Sequence, residues 1–385
     1  MIKFILTCIA ISGIFTLDIY LPGVPEQIKS LNVSSTAISW TFTIFSITFA
    51  ISQLIVGPLS DKYGRKPILI IGLFLATVST FLCGLASGFW ELLTFRILQA
   101  VGASCFVVMH AIIRDLHDGP IATRLRGYST MIAGVIISVA PSLGSFLVYI
   151  SGWRGTFILS SGVFLLTFVF IVFFFKETNT SNSINSKNII NNYYTLVRYN
   201  PSYMKRNIQY ALGYSVHFCF VIMSSYIIVI QMHYNLFVYS FFMVLYGLML
   251  FASGVVTNKL SIKYHNAQII VIGTIIMLTS ALLLLVLSIT NNSNIYIFSI
   301  LILIMIAGGT ITRPCSLTLA LSSIPGLSGQ GAAGASLLQF LLSGVIASIM
   351  SVFSMHIVDI ICIYTMLASF MILIINKGKP ILILK

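Results

Sequence analysis

The chain has 385 residues, 58% of them hydrophobic and only 8% charged, with a mean hydropathy of +1.03 and a formal net charge of +13. A soluble domain carries about 25% charged residues, so most of this chain belongs in lipid. The surplus cations sit singly at the ends of apolar runs, with no basic stripe interleaved with stacking aromatics, which excludes nucleic acid as a partner. The six Cys stand alone in apolar segments without C-x-x-C spacing, so neither a disulfide frame nor a metal site is expected.

In lipid a helix satisfies its own backbone hydrogen bonds, and about 20 apolar residues span the bilayer. Runs of that kind predict twelve helices, over residues 3–24, 37–58, 67–87, 91–113, 127–150, 155–175, 207–231, 238–258, 267–289, 294–314, 330–353 and 356–376. Lys3 and the apolar run after it look like the opening of a signal peptide. No A-x-A site follows, and the run continues into Asp18-Ile19-Tyr20, so an uncleaved first helix is expected. Asp18 falls inside the outer part of that span. A carboxylate there is expensive and faces a cavity or a partner, the alternative being an interfacial residue wetted beside Pro22 and Pro25.

Between the second and third spans, Gly57-Pro58-Leu59-Ser60-Asp61-Lys62-Tyr63-Gly64-Arg65-Lys66-Pro67 reads as a compact charged loop. Gly57 and Gly64 permit close backbone approach within it. The fourth span carries Arg96 a few residues from its start, at a depth that matches Asp18 on a helix running the other way. The same span ends at Arg114-Asp115. An Arg65–Asp115 pair would tie the loop to it, and Asp61 suits the free N–H groups of a neighbouring helix start. The eleventh span begins near Gly329-Gln330-Gly331 on the same side. These contacts read either as an inner gate that forms and breaks or as ordinary loop electrostatics, and spacing leaves both open.

In the fifth span Gly134, Pro141 and Gly144 suit a hinge or a tight helix interface, against the plainer reading of a generic packed helix. His110 and Asp115 match an acyltransferase-like H-x-x-x-x-D string. Five residues apart on a straight helix they project poorly toward each other, and the string ends a membrane span, so chance explains it. His110 and His217 are expected as interior residues, and Glu26, Glu91, Asp118, Glu177 and Asp359 as solvated surface. Phosphate-binding and metalloprotease motifs are absent from the sequence, and no enzyme activity is expected.

Residues 176–206 are rich in Asn and Ser and divide the chain into a bundle over 1–175, a central polar loop, and a bundle over 207–385. Gly254-Val255-Val256-Thr257-Asn258-Lys259 ends the eighth span as Gly57 to Lys62 end the second, a faint internal repeat. Lys and Arg concentrate on the side that receives both termini, which predicts that both are cytoplasmic.

The 57–67 segment resembles the signature loop between helices 2 and 3 of the major facilitator superfamily. Leu92 to Ala103, with Arg96, looks like its helix 4 motif, departing at Ala100 where Gly is common. Gly134 to Gly144 looks like the helix 5 motif of its antiporters, with Ala140-Pro141 for Gly-Pro and Ser145 for the last Gly. Asp18-Ile19-Tyr20-Leu21-Pro22-Gly23-Val24-Pro25, the Arg114-Asp115 pair and the small-residue run from Gly331 to Ser336 resemble the Bcr/CflA drug-resistance antiporters. Some related antiporters carry a further helix 1 carboxylate where this chain has Ala10.

The resemblance implies an all-α polytopic fold of two six-helix bundles rocking about a midplane substrate site. It implies proton-coupled export of small hydrophobic substrates across a bacterial inner membrane, by a monomer that uses the proton gradient and no cofactor. Asp18 and Arg96 would couple protons to substrate, with Gly57, Asp61, Gly64, Arg65 and Asp115 as the cytoplasmic gate. A single-metabolite transporter of the same fold, and a receptor or scaffold that has lost transport, are the alternatives.

Overall fold

The computed structural model describes residues 2–33, 35–179, 196, 198–234, 236–290, 294–324, 327–352 and 357–376, and these are helical almost throughout, with no strand among them. The helices are α1 (Ile2–Asp18), α2 (Val24–Ser30), α3 (Ser35–Tyr63), α4 (Arg65–Leu85), α5 (Phe89–Ala103), α6 (Val108–Leu116) and α7 (Gly119–Phe174). After the central segment come α8 (Pro201–Ser225), α9 (Leu236–Lys263), α10 (Asn266–Ile289), α11 (Ile295–Ser322), α12 (Ser328–Val352) and α13 (Ile357–Asn376). Among the described residues, nine segments are long and apolar enough to cross a membrane, and each of the twelve expected spans is met by a helix.

The helix ends differ from expectation in instructive ways. The first span stops at Asp18, and the chain re-forms as a 3-10 turn over Leu21–Gly23 and then α2, which carries Pro25 in its first turn. The charged stretch expected to be a loop is helix up to Tyr63, and the reversal is the single residue Gly64, at φ 97°. That φ lies in the left-handed region open to glycine. The fifth and sixth spans are likewise joined by one residue, Gly152 at φ 69°, which breaks the 56-residue α7 into two helices. The fourth span is interrupted by a 3-10 turn over Ser104–Val107, and the seventh continues as a π-helical turn over Tyr226–Gln231. The tenth runs eight residues past its predicted end, to Ser322, so Arg313 lies within it and not near its end.

Two compact units emerge, one of Met1–Leu116, Val135–Asn192 and Gly326–Gly334, the other of His117–Gly134, Tyr193–Pro325 and Ala335–Lys385. They follow the two halves of the chain except in two exchanged pieces, the start of α7 and the start of α12. Close glycine packing accompanies each exchange. In the first unit a Cβ on Gly57 would stand 2.5 Å from the Gly329 carbonyl oxygen. In the second a Cβ on Gly134 would stand 2.5 Å from the Gly247 carbonyl oxygen.

The internal repeat is deeper than six residues show. Gly72 is the eighth residue of α4 and Gly273 the eighth of α10. Gly102 is the fourteenth of α5 and Gly308 the fourteenth of α11. Each pair meets across its helix interface: a Cβ on Gly72 would lie 2.9 Å from the Gly102 carbonyl oxygen, and one on Gly273 2.7 Å from that of Gly308. Small residues at these points let two helix backbones touch, which is how helices associate in lipid.

Candidate functional site

Arg65 opens α4, and its side chain is 2% exposed. Its Nη1 stands 2.6 Å from Asp61 Oδ1 and donates to Ser60 Oγ at 2.7 Å. Nε and Nη2 fork onto the Asp115 carboxylate at 2.8 and 3.3 Å, and Nη2 also donates to Ser328 Oγ at 2.8 Å. Ser328 closes the ring by donating to Asp115 Oδ1 at 2.7 Å. Asp61 accepts the backbone N–H groups of Gly329 and Gln330 at the start of α12, at 2.9 and 2.8 Å. Those amides lack partners within their own helix, and the helix dipole favours a carboxylate there. Two carboxylates, one guanidinium, two hydroxyls and two amides thus satisfy one another in a cluster whose Ser60, Asp61, Arg65 and Ser328 are buried and whose Asp115 lies at its open edge. Removing one partner from such a cluster costs about 3–5 kcal/mol, because the remaining charges stay buried.

The cluster needs Gly57 and Gly329 as they are. A Cβ on Gly329 would meet the Gly57 carbonyl oxygen at 2.5 Å and Asp61 Oδ1 at 2.7 Å. Gly64 serves differently, by its positive φ and by leaving room for Glu177, whose Oε2 would lie 2.6 Å from a Cβ there. Glu177, expected as solvated surface, caps α4 by accepting the N–H groups of Arg65 and Lys66 at 2.9 and 3.0 Å. It also accepts those of Thr178 and Asn179, and Asn179 Nδ2 donates to the Asp61 carbonyl at 2.7 Å. Burial pushes the Glu177 carboxyl up, but the N–H groups of Asn179, Arg65, Lys66 and Thr178 outweigh it and hold it below its ordinary value.

The same device recurs at the other one-residue reversal. Glu26 accepts the N–H of Trp153 at 2.9 Å, just after Gly152, and Trp153 Nε1 donates to Ser30 Oγ at 2.8 Å. Glu26 was another acid expected in solvent. Glu91, the third, accepts the N–H of Ser87 at 2.8 Å and closes the turn that leads into α5.

Arg96 is 1% exposed in the interior of α5. Its Nη1 donates to Gln99 Oε1 at 2.7 Å and its Nη2 to the Tyr20 hydroxyl at 2.5 Å, and Gln99 passes the chain on to Thr80 Oγ1 at 2.8 Å. The guanidinium carbon stands 4.3 Å from the centre of the Tyr20 ring and 4.5 Å from that of Phe45. Asp18 is the last residue of α1, two positions before Tyr20, and its side chain lies outside the described residues. His110 is half-buried, with its ring edge-on to Phe106.

Gly134 meets α9, as described above, and Gly144 presses on the backbone of Ile19 and on Pro22. Pro141 is within the helix, and its side chain lies outside the described residues. In the second unit Gly254 meets α7, where its Cβ would stand 2.7 Å from the Gly127 carbonyl oxygen. Asn258 lies beside Gly127 as Asp61 lies beside Gly329. Nearby, buried Arg126 donates to Thr318 Oγ1 at 2.6 Å, and Thr123 Oγ1 donates to Asn266 Oδ1 at 2.9 Å. Arg126 falls just outside the predicted span 127–150, so hydropathy alone does not mark it as the buried group it is.

His217 in α8 hydrogen-bonds the Tyr246 hydroxyl of α9, with the two rings stacked. Arg313 in α11 lies over the Tyr214 ring, its guanidinium carbon 4.5 Å from the centroid.

Long apolar helices, glycine-mediated packing and arginines held inside spans define a polytopic helical membrane protein that keeps buried charge at its helix junctions. The family model described as "Major Facilitator Superfamily" matches residues 4–348, and the chain belongs to that superfamily. It is 30% identical over 181 residues to the multidrug resistance protein MdtL of Vibrio parahaemolyticus, covering 46% of each chain. It is 32% identical over 180 residues to the uncharacterized MFS-type transporter YdgK of Bacillus subtilis, covering 46% of this chain and 45% of that protein. MdtL of Escherichia coli is 29% identical over 206 residues, or 53% of this chain and 52% of that protein. The chain thus spans about half the length of the curated relatives it matches.

Among solved structures, the transporter FucP in its outward conformation superposes with a TM-score of 0.78 at 12% identity, covering 97% of both chains. The proton:xylose symporter XylE gives 0.71 at 13%, covering 96% of this chain and 94% of that one. These likenesses bear on the fold alone. The family and these neighbours are transporters, not enzymes.

Proposed function

We propose that this chain exports hydrophobic toxic compounds across a bacterial inner membrane in exchange for protons, as a monomer with both termini in the cytoplasm. The observation that carries a transport reading is the Asp61–Arg65–Asp115–Ser328 cluster, with α12 bound to a buried Asp61 by two backbone amides. A cluster built from directional polar bonds has discrete made and broken states, which suits a cytoplasmic gate. The names of the MdtL relatives, multidrug resistance proteins, support drugs as substrates.

Proton coupling falls to Asp18. It ends α1 two residues before Tyr20, whose hydroxyl holds Arg96. An acid within a membrane span is a functional candidate by default, and proton carriage is the role that suits it here. Movement of Arg96 relative to Asp18 then trades the proton against substrate. The experiment is dye efflux from everted membrane vesicles with and without a proton gradient. Asp18→Asn keeps the shape and fixes the neutral form, so gradient-driven efflux is lost while neutral dyes still bind. Full gradient-driven efflux by Asp18→Asn would move the role elsewhere, with His110 and His217 next to test.

A further inference from the structure

The buried and intramembrane arginines differ in how their charge is answered. Arg65 has two carboxylates, Arg96 has Gln99 and Tyr20, and Arg126 has Thr318. Arg313 is the nineteenth residue of the 28-residue α11, deep inside a span. Its Nε is buried and takes no hydrogen bond, and among the described residues no carboxylate pairs with it. What faces it is aromatic. The guanidinium carbon is 4.5 Å from the Tyr214 ring centre and 5.7 Å from that of Tyr210. Tyr214 meets Phe340 of α12 edge-on at 5.7 Å and stacks on Phe218 at 5.6 Å. Arg313, Tyr214, Phe218 and Phe340 are all half-buried, so the group is partly open.

A lone cation in a span is costly and marks a functional site by default. Ring faces attract it but offer no acceptor for the planar guanidinium fork, whose best match is a carboxylate bound bidentately. We propose that Arg313 with Tyr214 and Phe340 forms a subsite for the acidic group and adjoining ring of an aromatic carboxylate. Substrates of this chain then include amphiphilic organic anions and zwitterions, with the guanidinium taking the carboxylate and the rings taking the aromatic body. The inference rests on the transporter reading and narrows its substrate class.

The test uses the full-length protein in lipid nanodiscs and two fluorescent probes of equal aromatic body, dansylglycine and its neutral methyl ester. The wild type binds the carboxylate at least about tenfold tighter than the ester, the scale of a charge-assisted hydrogen bond. Arg313→Gln brings the affinity ratio of the two probes to about one, and its helical circular dichroism and monodisperse elution report an intact fold. Arg313→Lys keeps the charge but loses the fork, and retains part of the preference. Equal affinity of the wild type for the two probes, binding of neither, or an undiminished preference in Arg313→Gln would each overturn the proposal. Should Arg313→Gln fail to fold, the wild-type ratio and the Lys variant decide. Efflux of a neutral dye is measured alongside. Its absence in the wild type refutes the exporter and leaves the anion site standing, whereas its presence without a carboxylate preference does the reverse.

Discussion

Asp61 holds Arg65 at 2.6 Å with the same carboxylate that accepts the Gly329 and Gln330 amides. One side chain therefore joins the α3–α4 reversal to the start of α12, and any motion that parts α12 from α3 exposes both a carboxylate and two free amides. The same motion would break the bonds of Ser328 to Arg65 and Asp115, whose own pairing lies within the α3–α6 side of the cluster.

Arg65→Ala strips the counter-charge from Asp61 and Asp115 at once. We expect a loss of about 3–5 kcal/mol of stability where that cluster is formed and at least about tenfold slower efflux, with the helical content kept. Thermal unfolding in detergent and vesicle efflux read the two effects. Wild-type efflux from this variant would reduce the cluster to surface electrostatics.

Glycine substitutions separate contact from composition. In Gly329→Ala the new methyl falls 2.5 Å from the Gly57 carbonyl oxygen and must push α12 away, for about 1–3 kcal/mol and slower efflux. Gly162→Ala, in α7 with nothing within 4 Å of its Cβ, is the control. It should be neutral or stabilising by about 0.5–1 kcal/mol, since Ala favours helix over Gly. Equal thermal shifts from both variants would refute the close-contact role.

Glu177 gives a pH signature. Its folded carboxyl titrates below the ordinary value of 4.5, so its capping of α4 is fully present above that value and lost as pH falls through the lower, folded one. Glu177→Gln should therefore lower the unfolding temperature at neutral pH and flatten the acid limb of the stability curve. A melting series from about pH 6 down to pH 3 checks it, and an unchanged acid limb would remove Glu177 as the cap.

Charge asymmetry predicts that the segment after Glu177 faces the cytoplasm. A Cys introduced at Ser186, a position outside the described residues, should resist impermeant thiol reagents in intact cells. Ready labelling would reverse the orientation.

The spans were legible because a lipid-crossing helix must be an apolar run, and every predicted run holds a helix. Their ends were not. Hydropathy closes α3 near Gly57 and α11 near Pro314, yet both helices continue because Ser60, Asp61, Ser316 and Thr318 are buried against other helices rather than wetted. Arg65 and Asp115 were legible as neighbours, since both had to lie at the same ends of adjacent helices. Glu177 and Glu26 were not legible as caps. Their donors lie 112 and 127 residues away, at helix starts whose position no local pattern reveals. Arg313 falls at the edge of the predicted span 294–314 and well inside α11, which continues to Ser322.

The one-residue reversals at Gly64 and Gly152 have a consequence for how such a chain tolerates insertions and deletions. A long loop absorbs an extra residue at little cost. A turn made of one glycine, with a remote carboxylate seated against it, has no slack to absorb it. One residue added next to Gly64 advances the following helix by about 100° of rotation, since 3.6 residues make a full turn. That change would swing Arg65 away from Asp115 while every side chain in the helix kept its identity. Length at these two points is therefore fixed as tightly as any charge in the cluster, and variants that differ there by a single codon should lose the junction outright.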